Sequence, residues 1–418
     1  MIEQLIRAYR TELAPADDSQ VSLLYRNAGA ARFAYNWGVE WKMNVMEHNQ
    51  LPHPRIKLPT AIDLHRELNA LKRRRFPWMY ELSKCAPQEA LRDLDCAFTN
   101  FFEGRSGFPK FKSRKRGGAG SFTLTGAISI RPDKIRLPRL GWVRLKERGY
   151  LPSHVHINSV TVSERAGRWF VSVNVVEDVV LEGPAAVKGP VAGVDRGVNS
   201  LIVVSDGTSI ENPRALARRE RKLKRLQRAV SRKKRGSENR RKAVDALRRL
   251  HYRIANVRVD VIHKATTTLA KTKSVIVVED LRVRNMMANH RLAKSIQDAA
   301  MAEVVRQLGY KTKWHGSRLI VADGWYPSTK RCSGCGRVKE KMPLDERVYR
   351  CDGCSLVMDR DLNAARNLEQ WPGVARTLKT PVEGGVQSAA MTPLIQPPSE
   401  SGTTSPERGP RSWMSRCP

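Results

Sequence analysis

Cys332-x-x-Cys335 and Cys351-x-x-Cys354, separated by fifteen residues, constrain this chain more than any other feature. Each pair predicts a tight knuckle aiming two sulfurs at one tetrahedral centre, and the spacing is that of a four-thiolate zinc ribbon. Gly334, Gly336 and Gly353 permit the turns. With every position filled by a thiolate, the expected zinc is structural rather than catalytic. So short a ribbon has almost no core, and metal binding supplies most of its folding energy. The chain has seven cysteines, an odd number, and four stand in tight pairs, which argues for metal and against a secreted disulfide framework. Cys85, Cys96 and Cys417 receive no role.

The rest of the 418 residues carries 75 Lys and Arg against 41 Asp and Glu, a formal charge of +34. A surface this basic attracts polyanions, and nucleic acid is the soluble partner that needs such a field. No apolar run approaches a membrane helix, and the N-terminus places Glu3 where a signal peptide wants positive charge. The expected location is therefore cytoplasmic, and the length suggests two or three domains.

Residues 4–13 alternate loosely as far as Pro15 and predict a strand. Asp18 and Ser19 are candidate N-caps for helical periodicity through Leu23, Leu24, Ala28, Ala31, Tyr35 and Val39. A second helical block runs through Leu82, Leu91, Leu94 and Phe98, so 16–104 is mostly helical. Short β-like runs after Gly107, including Val160 to Val162 and Trp169 to Val176, predict a small barrel or sandwich. The first strand is expected to pair there, which makes the helical block an insertion. Val191 to Val194 and Leu201 to Val204 predict a hairpin with Asp195 at its mouth. Positions 211–260 then hold 19 Lys or Arg and 5 acids, a net +14, and their leucine spacing predicts two antiparallel helices. Val275 to Val278 predicts a buried strand ending in Glu279, residues 296–310 a helix, and Leu319 to Ala322 another strand. A helix opens near Asp361. The Pro-, Gly- and Ser-rich stretch 372–418 is expected to be disordered.

Asp195, Glu279 and Asp361 all stand at ends of apolar runs. Carboxylates so placed can converge on one sheet edge and hold two divalent ions for phosphodiester hydrolysis, and Mg²⁺ suits oxygen ligands. Taken alone, each acid is better read as a turn or cap residue, the parts expected of Asp206 and Asp359. His154-Val155-His156 matches the His-apolar-His pattern of tyrosine-dependent single-strand nucleases, but no tyrosine-bearing helix completes that site.

Gly193-Val194-Asp195-Arg196-Gly197, Val277-Val278-Glu279-Asp280-Leu281, the entry Pro327 to Gly336 and Asp359-Arg360-Asp361-Leu362-Asn363-Ala364-Ala365 form an ordered set. With Phe108-Pro109-Lys110-Phe111-Lys112-Ser113-Arg114 upstream, they resemble the transposon-encoded TnpB proteins and their relatives, the compact type V CRISPR effectors. The resemblance spans roughly residues 1–371. It implies an α+β multidomain protein: an RNase H-like RuvC nuclease core (186–322 and 358–371, with a basic helical hairpin at 211–265) and an inserted zinc ribbon (323–357). A β-barrel wedge domain (1–15 and 105–185) with an inserted helical recognition domain (16–104) completes it.

The implied activity is RNA-guided cleavage of double-stranded DNA beside a short motif, with guide RNA and target DNA as partners. Asp195, Glu279 and Asp361 match the family's Mg²⁺-binding catalytic carboxylates, and the four cysteines match its Zn²⁺ ligands. Ser355 departs from a frequent glycine. Lys110, Lys112, Arg114, Lys115 and Arg116 suit phosphate contacts, and Tyr35 and Trp37 suit base stacking, with a solvated basic face and ordinary core as the plain alternatives. A miniature CRISPR effector, a guided repressor without cleavage and a basic zinc-ribbon RNA-binding protein are the competing functions.

Overall fold

The computed structural model describes residues 2–113, 120–153, 155–180, 189–343 and 345–374. Arg114, Lys115, Arg116, His154 and the segment 375–418 lie outside them. The expected strand is β1 (Ile2–Ala14). From Leu5 to Thr11 its odd-numbered side chains are sheltered and its even-numbered ones exposed, the period of two that a half-buried strand requires.

Three helices follow, α1 (Asp18–His48), α2 (Ala61–Arg75) and α3 (Cys85–Phe102). The α1 cap is Asp17 rather than the expected Asp18 or Ser19, its carboxylate accepting the Gln20 amide at 2.8 Å. Thr60 and Asp63 form a reciprocal capping box on α2. Leu24, Ala28, Ala31, Tyr35 and Val39 are buried as their spacing predicts, against Leu91, Leu94 and Phe98. A Cβ at Gly38 would lie 2.6 Å from Leu94, so glycine sets how closely α1 and α3 approach.

Next come β2 (Ser121–Leu124), β3 (Ser129–Arg131), β4 (Lys134–Leu137), β5 (Gly141–Leu145), β6 (His156–Arg165) and β7 (Arg168–Val180). With β1 they form one antiparallel sheet in the order β2-β6-β7-β1-β5-β4-β3. The first strand thus pairs across the helical block, bridging β7 and β5. For the expected barrel or sandwich, the described residues show one seven-stranded sheet in which no ladder joins β2 to β3. Helices occupy that side instead, since Phe122 and Leu124 of β2 enter the helical core and Cys85 donates its thiol to the Thr125 carbonyl at 3.3 Å.

A second sheet contains β8 (Val191–Arg196), β9 (Ser200–Val204), β10 (Ser209–Glu211), β11 (Val275–Glu279) and β12 (Arg318–Ala322). Its order is β10-β9-β8-β11-β12, with β9 antiparallel to both β10 and β8, and β11 parallel to both β8 and β12. Between β10 and β11 lie α4 (Glu220–Ser231) and α5 (Glu238–Thr272), packed through Leu223, Leu250 and Ile254. The second helix runs to Thr272, further than the basic stretch suggests, because its later turns bury Ile262, Ala265 and Leu269 against the sheet. Arg221, Lys222, Arg225, Arg228 and Arg232 remain exposed.

After β11 come the short α6 (Val283–Met286) and α7 (Ala293–Ala299), then α8 (Met301–His315). Asp298 of α7 accepts the Leu216 and Ala217 amides and the Arg258 guanidinium, tying the basic helices to this region. Past β12, the two-stranded ribbon β13 (Val348–Arg350) and β14 (Val357–Asp359) leads into α9 (Arg360–Glu369). One face of the five-stranded sheet, through Ala192, Val194, Ile276 and Val278, packs on α5 and α8. The other, through Val275 and Val277, packs on Leu368 of α9. Val374 is buried there too, so order extends past the expected boundary at 372, and the rest of the expected tail lies outside the described residues. The larger sheet meets this layer through Arg248–Glu164 at 2.9 Å and through Arg7, which pairs with Glu177 and lies over Trp314.

Candidate active site and metal centre

The four cysteine sulfurs converge. Cys332 Sγ lies 3.6 Å from Cys354 Sγ and Cys335 Sγ 3.5 Å from Cys351 Sγ, and all four lie within 4.8 Å of one another. Four zinc–sulfur bonds of about 2.3 Å give a tetrahedron with sulfur–sulfur edges of about 3.8 Å, so the set fits zinc. Its two knuckles repeat each other. Cys332 N donates to Arg337 O and Gly336 N to Cys332 O; Cys351 N donates to Leu356 O and Ser355 N to Cys351 O. The residue after each second cysteine is left-handed, Gly336 at φ +79° and Ser355 at φ +57°. Gly334 and Gly353, expected to serve the turns, have no such backbone. The Gly353 amide donates to Cys351 Sγ at 3.3 Å and brings that thiol down to about 6.

The carboxylates are assembled from distant elements. Val278 of β11 pairs in parallel with Val194 of β8, so Glu279 and Asp195 follow in the same register at neighbouring strand ends, on the face that receives α9. Gly193 shares that face with Asp195, two residues on. A Cβ at Gly193 would collide with the Ala365 carbonyl and lie 2.5 Å from the Glu369 amide nitrogen, so α9 rests on bare backbone. Asp361 is one helical turn before Ala365 on the same helix face, which carries it toward Asp195.

Electrostatics agree with that placement. Burial, and then the charges of Asp361 and Glu279, push Asp195 up to about 7. Burial also raises Glu279, against the Ser328 hydroxyl donating to its Oε2 at 3.2 Å. Asp361 is flanked by Arg360 at 3.1 Å and Arg347 at 3.9 Å. Arg196 donates to the carbonyls of Met301 and Glu279, pinning the strand ends that carry the acids. Among the described residues only the thiols, not these carboxylates, have all their ligand atoms within 4.8 Å. A buried carboxylate repelled by two others, all hard oxygen donors, nevertheless suits a divalent cation such as Mg²⁺.

Several residues of this edge stand in or beside the motifs without a role that the sequence assigns. Ser328 and Arg196 are two. Asn363 and Asn367 are two more: Asn363 accepts the Ser333 amide and donates to Arg331 O, and Asn367 donates to Ser328 O and Arg331 O. They fasten the first cysteine knuckle to the helix bearing Asp361. Two asparagines four apart, buried in a helix they do not favour, were the available signal.

Asp359 caps α9, accepting the Asp361 and Leu362 amides, and Asp206 accepts the Thr208 amide, the parts expected of both. Upstream, Lys110 is exposed, while Phe108 and Pro109 anchor its loop and Lys112 is held by Asn36 through two backbone bonds. Tyr35 is only 6% exposed, with Lys112 Nζ 3.8 Å from its ring centroid. It follows the core alternative, and its ring is not open to a base. Trp37 is half-buried against Trp41.

The comparisons with known proteins give the class first. Residues 160–290 match a family described as "Probable transposase", 302–368 match "Cas12f1-like, TNB domain" and 1–50 match "Helix-turn-helix domain", although here 1–50 is one strand and one long helix. A Streptomyces pristinaespiralis protein named "Putative RNA-guided DNA endonuclease" is 36% identical, over 97% of this chain and 95% of its own. "Putative RNA-guided DNA endonuclease InsQ" of Escherichia coli K12 is 32% identical over 87% of this chain and 91% of its own. The chain belongs to this family, the TnpB-type RNA-guided DNA endonucleases. In fold it is similar to the solved "Cas12f1-sgRNA-target DNA complex", at 13% identity and a TM-score of 0.50, covering 88% of this chain and 99% of that one. Among the described residues no helix is long and apolar enough to cross a membrane.

Proposed function

We propose that this chain is a transposon-encoded, RNA-guided DNA endonuclease that cleaves double-stranded DNA at the Asp195–Glu279–Asp361 edge. In this reading it binds a transposon-derived guide RNA and recognises a short motif beside the target. The five-stranded layer is an RNase H-like RuvC core, the cysteine segment its zinc ribbon, the larger sheet a wedge domain and α1 to α3 a recognition domain. The sheet order, three antiparallel strands followed by two parallel ones, supports the core assignment. The observation that carries the active site is the contact of α9 with Gly193, which directs Asp361 to Asp195 and couples their charges.

Asp195, Glu279 and Asp361 would hold magnesium, which when bound would activate the attacking water and stabilise the leaving oxygen. The protein's own part is orientation. Ser328 fixes Glu279, Arg360 and Arg347 flank Asp361, and Arg196 locks the strand ends. Exposed cations of α4 and α5 would contact guide or heteroduplex backbone, as would Lys110, Lys112, Arg114, Lys115 and Arg116, with Trp37 against a base. Such contacts position nucleic acid, and pairing with the guide reads its sequence.

The test is Asp195→Ala in the complex purified with its own RNA. Cutting of matched DNA should be lost while guided binding persists, and surviving cleavage would sink the site assignment. Sequencing the co-purifying RNA checks the guide separately: a discrete species ending in a variable stretch is expected, and none at all removes it.

A further inference from the structure

Among the described large apolar side chains Trp325 is the most exposed, at 82%. It stands three residues past β12, whose Ala322 is in register with Glu279, and so belongs to the sheet edge that carries the acids. Its loop is clamped on both sides. Asp323 accepts the Trp325 amide at 2.8 Å, and a Cβ at Gly324 would lie 2.9 Å from the Asp280 carbonyl. Tyr326 donates its hydroxyl to Asn367 O at 3.0 Å, and the buried Ser328 reaches Glu279. A rigid turn thus holds a large aromatic ring out in water, where burial would have been favourable. Arg282, three residues after Glu279, places its guanidinium 5.7 Å from the ring centroid.

An isolated ring among Asp280, Arg282 and Asp323 does not make the contiguous apolar patch that a protein partner needs. A π-face beside a cation is instead what a nucleotide recognises, base on ring and phosphate on guanidinium. Bases inside a duplex have no free face, so the occupant is unpaired. We propose that Trp325 is a stacking platform for an unpaired base of the DNA strand being cut, next to the scissile phosphate, and that it sets where that strand lies over the carboxylates. This rests on the nuclease reading above.

The experiment uses the full chain purified with its RNA and DNA matched to the variable end of that RNA. Trp325→Ala should slow cutting roughly ten-fold or more, and Trp325→Phe should restore most of the rate. An abasic nucleotide walked along the cut strand should slow the wild type by the same factor at one or two adjacent positions, and slow Trp325→Ala no further there. Wild-type rates in Trp325→Ala, or losses that multiply at every abasic position, overturn the platform. If the wild type cuts no substrate, the nuclease reading fails, and the platform is still decided by photocrosslinking 5-iodouracil in the bound strand. An adduct on Trp325 then supports it, and its absence overturns it.

Discussion

Two anionic ligand sets sit at opposite ends of one organising idea. The ribbon collects four sulfurs from two short knuckles within 23 residues, each drawn to its partners by local turns. The carboxylate edge gathers Asp195, Glu279 and Asp361 across 167 residues, by strand register and one glycine contact. In the first the ligands and a bound metal would make the fold; in the second strand register and helix packing place the acids at one sheet edge, as the proposed site requires. The α9 helix belongs to both, with Asn363 holding a knuckle and Asp361 facing the sheet.

Removing one ligand from each set should expose that difference most strongly. Cys351→Ser takes away a zinc ligand whose site contributes on the order of 10 kcal/mol to folding of its ribbon. Elemental analysis should show about one zinc per wild-type chain and little in the variant, with rapid proteolysis between residues 323 and 359. Asp361→Asn, one element away, should keep its zinc and its protease resistance while losing guided cleavage by roughly a hundred-fold or more. Zinc retained in Cys351→Ser, or lost in Asp361→Asn, would erase the distinction.

Their pH responses should run in opposite directions. Asp195 is raised to about 7, so without a cation the folded protein holds a proton that the unfolded chain releases near pH 4. The Asp195 share of stability in chelator, read as wild type minus Asp195→Asn, should therefore fall by a few kcal/mol as pH rises from about 4 to 7, and added Mg²⁺ should remove most of that slope. Without metal, Cys351 is lowered to about 6 while its neighbour Cys354 is pushed up to about 12, so the two thiols offset each other; with zinc bound the ligands are thiolates, and protons displace the metal as pH falls. Thermal melts of the whole chain across this range, with chelation mild enough to spare zinc, read the carboxylates. Zinc release on acidification reads the thiols. A chelated melt that stabilises with rising pH and is unchanged in Asp195→Asn contradicts the coupling.

Gly193→Ala tests the contact that builds the second site. Its new methyl strikes α9 backbone, which cannot rotate aside as a side chain would, and overpacking of this kind costs about 1–3 kcal/mol. The melting temperature should drop, and cleavage should fall further than that loss predicts, because Asp361 moves with the helix. Zinc content should not change.

The same contrast explains what could be read in advance. The ribbon was legible because its geometry follows from spacing alone, and the strands were legible because Val275 to Val278 and Val191 to Val194 are unbroken apolar runs. Asp195 and Glu279 could be placed at strand ends, but their shared register is a nonlocal pairing that no window of sequence contains. Ser328, Arg196 and Asn367 carry no role legible in the sequence because each acts across more than 35 residues on a backbone or carboxylate group. Tyr35 failed as a stacking residue for the opposite reason: its helical period already placed it in the core. Between barrel and sandwich the strand patterns could not choose, and the covering of β2 by α1 and α3 is a packing relation that alternation along a strand cannot express.

The smallest effect lies inside the ribbon, at the residue that follows the second cysteine of each knuckle. Both require a left-handed backbone after the second cysteine, met by Gly336 in one and by Ser355 in the other. A residue with a Cβ in that conformation costs about 1–2 kcal/mol, part of which glycine returns as flexibility of the unfolded chain. Ser355→Gly should therefore tighten zinc retention by roughly 1 kcal/mol, read by competition with a chromogenic chelator. Gly336→Ala should loosen it by a similar amount, since its methyl would also lie 3.0 Å from the Arg331 guanidinium. Neither change touches the carboxylate edge, so cleavage at saturating zinc should stay level in both. If Ser355→Gly weakened zinc binding instead, the serine side chain would be contributing something beyond its backbone, and the two knuckles would not be equivalent.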